Sequence, residues 1–268
     1  MTTPIALQTP LQIKSAIRTA ASKTGVDFDY LLRTAERESG LKSQAKAKTS
    51  SATGLFQFID QTWLSMVKKH GAKHGLNRFA DAIERGATGR YEVADPKVKE
   101  EILAERFNPQ TASLMAGELT RETAEHLGNR LGRTVNKGEL YMAHFLGASG
   151  AARFIQAKEA NPEALAAQSF GREAAANRSV FFEKSGRMRT LGEVYDRLTK
   201  LHGGGEAAAP EASRKAKEVS PLPVAAQQVG GAARTAISQY SGLGGFTSRL
   251  TPEIMMILTS LDLPFGDR

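Results

Sequence analysis

The chain has 268 residues, 41% of them hydrophobic, so it can bury the core of one large domain or of one domain with an appendage. It contains no cysteine, which excludes disulfides and thiolate metal sites. The net charge of +8 favours an anionic partner. Basic residues alternate with acidic ones, and no basic run is interleaved with aromatics, so we expect no nucleic-acid partner.

The first 25 residues predict a supporting helix. Thr9-Pro10 combines an N-cap residue with proline at the first helical position, and Gly25 supplies a stop. An apolar stripe at helical spacing lies between them (Ile13, Ile17, Ala20). This part of the chain carries no apolar segment of signal-peptide or membrane-spanning length, so we expect no stable membrane insertion.

The next predicted helix places a carboxyl group at its closing turn. Asp27 is the expected N-cap, apolar residues follow at helical spacing, and Gly40 is the expected stop. Glu38 then lies beside the negative end of the helix dipole among apolar groups, and both surroundings disfavour the ionised form. We therefore expect Glu38 to keep its proton near neutral pH, as the general acid of glycosidic bond cleavage must.

A polar loop follows this helix and leads into a compact run that begins with glycine. Thr49, Ser50 and Ser51 offer hydroxyl groups to Glu38 or to a sugar, although such clusters usually form a solvated turn. Gly54 lets its backbone approach a ligand or the Glu38 turn closely. The sequence leaves the choice between these interpretations open.

The same run places a glutamine between two aromatic residues. Gln57 can donate to and accept from the N-acetyl and hydroxyl groups of a sugar, and we favour this role. A glutamine flanked by Phe56 and Phe58 can instead be buried and bond backbone groups. Asp60 is the predicted N-cap of the next helix, in which Trp63 is more typical of a core residue than of a sugar-stacking platform.

Later helices are predicted from recurring cap and proline signals. A short helix is expected over 77–84, and three cap-proline pairs mark further helix starts (Asp95-Pro96, Asn108-Pro109, Asn161-Pro162). His70 and His74 lack a convincing carboxylate or third histidine partner, so we predict a surface pair and no metal site. These signals favour a mainly α fold.

The run KGELYMAHFLG over 137–147 brings two polar rings onto one helix face. Tyr141 and His144 are three residues apart and therefore point the same way. A single histidine on such a helix is more often a satisfied core residue than a ligand-binding one. We nevertheless keep both as candidates for lining a cleft.

The composition changes abruptly at Gly203. Residues 203–231 are rich in Gly, Ala and Pro and predict a flexible linker between a domain over 1–202 and the rest. Residues 232–268 end in an apolar stretch that predicts a short amphipathic helix. This tail is expected to dock on the domain, on a second copy, or on an export or assembly partner.

Three motifs resemble the soluble (SLT) type of lytic transglycosylase in the lysozyme-like superfamily. That family carries a Glu-Ser pair at a helix end, a Gly-Leu-Met-Gln run and an Ala-Tyr-Asn-Ala-Gly run. Here the first stands as Glu38-Ser39 and the second as Gly54-Leu55-Phe56-Gln57, with Phe56 for Met. The third falls at Ala143–Gly147, where His144 and Phe145 replace Tyr and Asn; this form is similar to alphaproteobacterial and phage-associated muramidases.

The resemblance implies a mainly α, lysozyme-like (SLT or goose-type) helical domain with a cleft. It implies cleavage of the β-1,4 bond between N-acetylmuramic acid and N-acetylglucosamine in peptidoglycan, with Glu38 as general acid and then base, no cofactor, and a 1,6-anhydro product. The expected substrate-binding residues are Ser39, Thr49, Ser50, Gly54, Phe56, Gln57, Tyr141 and His144.

Two other functions remain open. A hydrolytic muramidase would need a second carboxylate, for which no candidate stands at a telling spacing (Asp60, Asp81, Glu84, Glu92, Asp95). A non-catalytic wall-binding or assembly protein would keep the fold while Glu38 is idle. A wall substrate predicts a periplasmic location, reached after removal of a signal or by non-classical export, with cytoplasmic holding until lysis as the alternative. Secretion, flagellar or phage assembly partners are candidates for the tail.

Overall fold

The structure, a computed structural model, describes residues 9–48 and 50–200. It is mainly helical, which confirms the predicted fold class. Thr49, the predicted linker over 203–231 and the predicted tail over 232–268 lie outside the described residues. Within the described ranges, no helix combines the length and the apolar character that crossing a bilayer requires.

The described elements are helices of very different length and one short hairpin. The helices are α1 (Pro10–Thr24), α2 (Phe28–Ser39), α3 (Asp60–His70), α4 (Asn77–Ala82), α5 (Pro96–Ala104), α6 (Pro109–Leu131), α7 (Lys137–Leu146), α8 (Ala148–Ala160), α9 (Ala166–Ser169), α10 (Gly171–Ala176), α11 (Arg178–Phe181) and α12 (Leu191–Lys200). The strands are β1 (Ile83–Arg85) and β2 (Tyr91–Val93), paired antiparallel.

Local cap chemistry sets several helix starts as predicted. Thr9 and Gln12 form a reciprocal capping box ahead of α1. Asp95 and Asn108 accept backbone N–H groups at the starts of α5 and α6. Each of these three helices has proline in its first turn, where the missing N–H costs nothing.

The prediction of a helix start at Asn161-Pro162 is wrong. The chain forms a turn there, because the carbonyl of Pro162 accepts from the N–H of Gly192 at 2.8 Å and the carbonyl of Ala164 accepts from Leu191 at 2.8 Å. This long-range pairing outweighs the local cap signal. The next helix, the short α9, begins at Ala166.

The core is organised by α6, along which α1 lies. At their contact Gly117 faces Thr24 so closely that a Cβ at position 117 would lie 2.5 Å from the Thr24 hydroxyl oxygen. Apolar side chains from both ends of the described chain complete the core, including Ile17, Leu31 and Phe154, all fully buried. The α6 backbone therefore supports α1, α2 and α8 together.

The region after α3 differs from its prediction. The predicted helix over 77–84 ends at Ala82, and residues 83–85 pair with 91–93 as a hairpin. The side-chain amide of Gln61 holds this hairpin by donating to and accepting from the backbone of Tyr91 at 2.9 Å. Trp63 is fully buried, and its indole N–H donates to the carbonyl of Ile102 at 2.7 Å, so it is a core residue. Burial of this indole with its one donor satisfied rules out the sugar-stacking alternative.

The predicted N-cap role of Asp60 is also wrong. Helix α3 starts at Asp60 itself, and Ile59 occupies the cap position without a side-chain hydrogen bond. The Asp60 carboxylate instead forms an ion pair of 2.7 Å with Arg106. Capture by a buried guanidinium outweighs the local cap preference.

His70 and His74 do not form the predicted surface pair. Both contact Glu118 on α6, whose side chain is fully buried: the His74 Nε2 lies 2.8 Å from one of its oxygens, and the His70 Nδ1 lies 3.7 Å from the other. Lys73 and Arg121 bind the same carboxylate at 2.7 and 2.9 Å. The His70 Nε2 lies 2.8 Å from the carboxylate of Glu122. Among the described residues, no group of three or more His, Cys, Asp or Glu side chains could hold a metal ion.

Candidate functional site

Glu38 lies in the last turn of α2, which ends at Ser39 and is followed by two consecutive left-handed residues. Gly40 closes the helix at φ 60°, where its N–H donates to the carbonyl of Glu36 and the next N–H, of Leu41, donates to that of Ala35. Leu41 follows at φ 60°, a conformation that costs a non-glycine residue about 1–3 kcal/mol. The chain therefore turns away after Ser39, and the Glu38 carboxyl stands in the last turn of the helix as predicted.

Helix α7 lies beside α2 and runs in the same direction. The Lys137 ammonium at the start of α7 lies 3.1 Å from the carboxylate of Asp27, the residue that caps α2. At the other ends of the two helices, the Nε2 atom of His144 lies 3.1 Å from Oε1 of Glu38. Side-chain contacts at both ends thus fix the position of α7 against α2.

The carboxyl of Glu38 is almost enclosed. Its side chain is 7% exposed and that of His144 is 16% exposed, so the pair has limited contact with bulk water. In such surroundings a hydrogen bond between two titratable groups is stronger than in water. The structure thus brings together two of the predicted site residues, Glu38 and His144, that are far apart in the sequence.

Two further side chains extend the contact between Glu38 and His144. The Arg37 guanidinium carbon lies 4.2 Å from the centre of the Tyr141 ring, a cation–π contact. The Tyr141 ring stacks near the His144 ring, with centroids 6.2 Å apart and an interplanar angle of 22°. The four side chains Arg37, Glu38, Tyr141 and His144, here called the quartet, thus form a series of contacts that leads from Arg37 on α2 through the two rings on α7 back to Glu38 on α2.

Two buried phenols stand near Glu38 without adding a negative charge. Burial raises the pKa of Tyr141; Arg37 opposes this shift, and Glu38 adds to it. Burial likewise raises the pKa of Tyr30, with a hydrogen bond to Thr34 opposing and both Tyr141 and Glu38 adding to the shift. Both hydroxyls therefore remain neutral at working pH. From the sequence, Tyr30 is only one of the residues at helical spacing in α2, because its place near Tyr141 depends on the packing of α7.

Ser39 connects the end of α2 to the glycine-containing run. Its hydroxyl donates to the carbonyls of Leu55 and Ala35, at 2.9 and 3.1 Å. It also accepts the N–H of Lys42 at 3.2 Å. Ser39 thereby holds Leu55 against the turn that carries Glu38, while its predicted contact with a substrate stays a prediction.

Gly54 permits a close backbone approach, as predicted, but the approach is to another part of the chain. At φ 81°, a Cβ at this position would lie 2.0 Å from the carbonyl oxygen of Arg106. The Gly54 N–H donates to Ala45 at 2.8 Å. Glycine is thus required here by the contact with the 105–107 turn; its predicted part in substrate binding stays a prediction.

Gln57 takes the buried position that the sequence left as the second alternative. It is 3% exposed, and its side-chain amide nitrogen donates to the carbonyl of Gly54 at 2.8 Å and more distantly to that of Ala45. Its backbone is left-handed, with φ 49°. These bonds tie the run 54–58 to the preceding loop, and binding of a sugar by Gln57 stays a prediction.

The other two described candidates, Phe56 and Ser50, both precede this glutamine in the chain. Phe56 is 5% exposed and belongs to the core. Ser50 is half-buried and accepts the N–H of Ala52 at 3.3 Å, a local turn bond. Neither placement tests the predicted substrate contact.

Arg106 organises the loop, a role that its sequence neighbourhood does not indicate. It is 7% exposed, and its guanidinium donates to the carbonyls of Ser51 and Phe58 at 2.8 and 3.0 Å as well as to Asp60. Burial lowers the pKa of Arg106, and Asp60 opposes that shift. One buried cation therefore fixes both ends of the segment next to the Glu38 turn. No local pattern could have revealed it, since its partners lie some 50 positions earlier in the chain.

The arrangement suits proton transfer by one carboxyl group. Glu38 is enclosed, hydrogen-bonded to an imidazole and flanked by neutral phenols, and a strained turn holds it in place. Such a group can donate a proton to a leaving oxygen and recover one afterwards.

Residues 15–89 match the family model described as "Transglycosylase SLT domain". The matched range contains Glu38-Ser39 and the run from Gly54 to Gln57, but it ends before α7. It supports the predicted SLT type of lytic transglycosylase, with peptidoglycan as the substrate class that this domain implies.

Proposed function

We propose that this protein cleaves the β-1,4 bond between N-acetylmuramic acid and N-acetylglucosamine in peptidoglycan, with Glu38 as the catalytic residue. The observation that carries the proposal is the enclosed Glu38 carboxyl at the end of α2, hydrogen-bonded to His144. The domain match over 15–89 supports the substrate class.

In the proposed reaction Glu38 transfers its proton to the glycosidic oxygen as the bond from that oxygen to the muramyl C1 breaks. N-acetylglucosamine leaves with a free 4-hydroxyl. The muramyl O6 then bonds to C1, and its proton returns to the Glu38 carboxylate. The balance closes without water, gives a 1,6-anhydro end and restores the acid.

The non-hydrolytic course is favoured because two candidates for a second carboxylate already have structural roles. Asp60 is paired with Arg106, and Asp95 accepts the N–H of Lys97 at the start of α5. A carboxylate so engaged is poorly suited to holding an attacking water. Glu38 therefore acts as both acid and base in the proposal.

A hydrolytic muramidase is the second candidate, and one observation favours it. Glu84 and Glu92 face each other in register across the hairpin and are both exposed, so they could hold a water. In that case the product would carry the elements of water, and Glu84→Gln together with Glu92→Gln would abolish cleavage.

The remaining parts of the proposal concern location and subfamily. Because peptidoglycan is the substrate class, we place the working protein in the periplasm. We also propose that it belongs to the alphaproteobacterial and phage-associated group, which the form of the third motif, with His144 and Phe145, supports. A partner that binds through residues 232–268 completes the proposal.

The test compares the full chain with Glu38→Gln, which removes the transferable proton and keeps the size. Clearing of purified cell walls should fall about 10²–10⁴-fold, the usual worth of a general acid. A thermal melt of both proteins provides the folding control. Equal clearing by the variant would favour a different acid, and no clearing by either protein would favour a non-catalytic wall-binding protein.

A further inference from the structure

We propose that His144 is the positioning residue of Glu38: its Nε2–H donates to Oε1 and leaves the catalytic proton on Oε2. The inference rests on the proposed function and extends it to a second side chain. It assigns the tautomer of His144 and the carboxyl oxygen that faces the substrate, neither of which follows from the domain match.

The first support is that the quartet restrains His144 from more than one side. Its ring is stacked near Tyr141, whose own ring lies under the Arg37 guanidinium on α2. The start of α7 is fixed to α2 by the ion pair of Lys137 with Asp27. An imidazole held in this way has little freedom, so its 3.1 Å contact sets where the Glu38 carboxyl points.

The start of α7 is anchored from the opposite side as well. Glu139 is 1% exposed and accepts two bonds from Arg133, at 2.7 and 2.9 Å, and one from the Tyr195 hydroxyl at 3.0 Å. Gly138 lies so close to Thr199 on α12 that a Cβ would come within 2.6 Å of the Thr199 Cβ. The helix that carries His144 is therefore a rigid support.

The second support is the direction of the hydrogen bond that catalysis requires. If Glu38 donated its proton to Nε2, that proton would point at the imidazole and away from a sugar. With Nε2–H as the donor, Oε1 serves as the acceptor and Oε2 carries the proton to the glycosidic oxygen. The functional direction thus selects the neutral Nε2–H tautomer.

This bond also strengthens as the reaction proceeds. When Glu38 gives up its proton, the acceptor of Nε2–H changes from a neutral carboxyl to a carboxylate, and charge-assisted hydrogen bonds are roughly twice as strong as neutral ones. An interaction that gains strength toward the transition state raises kcat rather than lowering KM. A neighbour that serves only for packing would not have this effect.

The test uses two substitutions in the full chain. His144→Phe keeps the ring and its stacking near Tyr141 but removes the donor, and kcat for wall cleavage should fall on the order of 10²-fold with KM little changed. His144→Gln restores an N–H at similar reach, so kcat should return to within about threefold of wild type, since the donor is what was lost. Equal activity of wild type and His144→Phe overturns the proposal, as does a loss with His144→Gln as large as that with His144→Phe.

A second readout needs no activity. Nitrogen-15 labelling of the five histidines in the full chain, followed by long-range proton–nitrogen correlation, reports the tautomer of each ring. We expect the Nε2–H form for His144 and a change in the chemical shift of that proton in Glu38→Gln, because its acceptor changes from a carboxyl to an amide oxygen. An Nδ1–H form, or a resonance that ignores the substitution, overturns the proposal. If wild type leaves walls intact, the proposed function fails, while this spectrum still decides the role of His144.

Discussion

Two glutamate–histidine contacts in this molecule use the same side chains in opposite ways. In the quartet, Glu38 meets His144 at 3.1 Å, and the carboxyl keeps 7% of its surface exposed. In the α3–α6 cluster, Glu118 meets His74 at 2.8 Å, is fully buried, and also binds Lys73 and Arg121. The two contacts therefore differ in how many other side chains bind the carboxylate.

The Glu118 cluster fixes its carboxylate in the charged state. Burial by itself would raise the pKa of Glu118, but hydrogen bonds from Lys73, His74 and Arg121 outweigh it and lower the pKa to about 2. A carboxylate held so firmly cannot exchange a proton near neutral pH, and it serves structure. A reactive carboxyl must not be bound by several cations at once. In the quartet, the Glu38 carboxyl contacts the imidazole of His144.

The largest effect is expected from removing the charge of Glu118. Glu118→Gln leaves a lysine, a histidine and an arginine without their shared anion, so the free energy of unfolding should fall by about 3 kcal/mol. Urea denaturation measures the loss, and kcat per folded molecule should stay unchanged. A large loss of kcat with stability intact would show that this cluster, too, takes part in the chemistry.

The next largest effect is expected in the pH dependence of the free energy of unfolding, which should reveal the contribution of Glu118. Because the pKa of Glu118 is lowered from 4.5 to about 2, its stabilisation is complete above pH 4.5 and is lost as the pH falls toward 2. Wild type should therefore lose about 2 kcal/mol more than Glu118→Gln between neutral pH and pH 3. Denaturation at a series of pH values measures both slopes, and parallel curves would refute the assignment.

The loop beside Glu38 can be tested with a matched pair of glycines. Gly54 and Gly75 have nearly the same φ, 81° and 82°, but a Cβ at position 54 meets the Arg106 carbonyl at 2.0 Å, whereas one at position 75 has nothing within 4 Å. Both alanine variants bear the backbone strain of a positive φ. Gly54→Ala should therefore cost about 1–3 kcal/mol beyond Gly75→Ala, the usual penalty of overpacking.

Wall-clearing activity provides the second readout for these two variants. Activity should fall in Gly54→Ala and persist in Gly75→Ala, because only the first displaces the segment bonded to Ser39. Equal stability and activity of the pair would show that the approach to Arg106 is unimportant.

The smallest expected effect concerns the link from the Glu38 turn to Leu55. Ser39→Ala removes the hydroxyl that donates at 2.9 Å, so we expect a loss of about 1 kcal/mol in the free energy of unfolding. We also expect a few-fold fall in kcat, since Glu38 is the adjacent residue. Ser22→Ala, an exposed position on α1, is the control and should change neither quantity. A Ser39 variant that behaves like this control would exclude a positioning role.

Local signals in the sequence predicted the frame of the site. Asp27 and Gly40 mark both ends of α2 through side-chain capping and a left-handed stop, which depend on neighbours within a few residues. The shared face of Tyr141 and His144 followed from helical spacing alone. These inferences needed no knowledge of tertiary structure.

Long-range partners were beyond the sequence. The contact between His144 and Glu38 spans 106 residues, and the pairing of His74 with Glu118 spans 44. A spacing rule carries no information about which helix lies opposite. For this reason Asp60 pairs with Arg106 instead of capping α3, and the two histidines predicted to form a surface pair belong to the cluster around the buried Glu118.

The most direct test of the account is the product spectrum of purified peptidoglycan digested in heavy-oxygen water by wild type and by Glu38→Gln at equal concentrations of folded protein. We expect wild type to release muropeptide ends that are lighter than the hydrolysed form by one water and carry no heavy oxygen. The Glu38→Gln variant should release almost none of them. Equal release by Glu38→Gln would contradict the central role of Glu38. Heavy oxygen in the wild-type products would contradict the single-carboxylate mechanism.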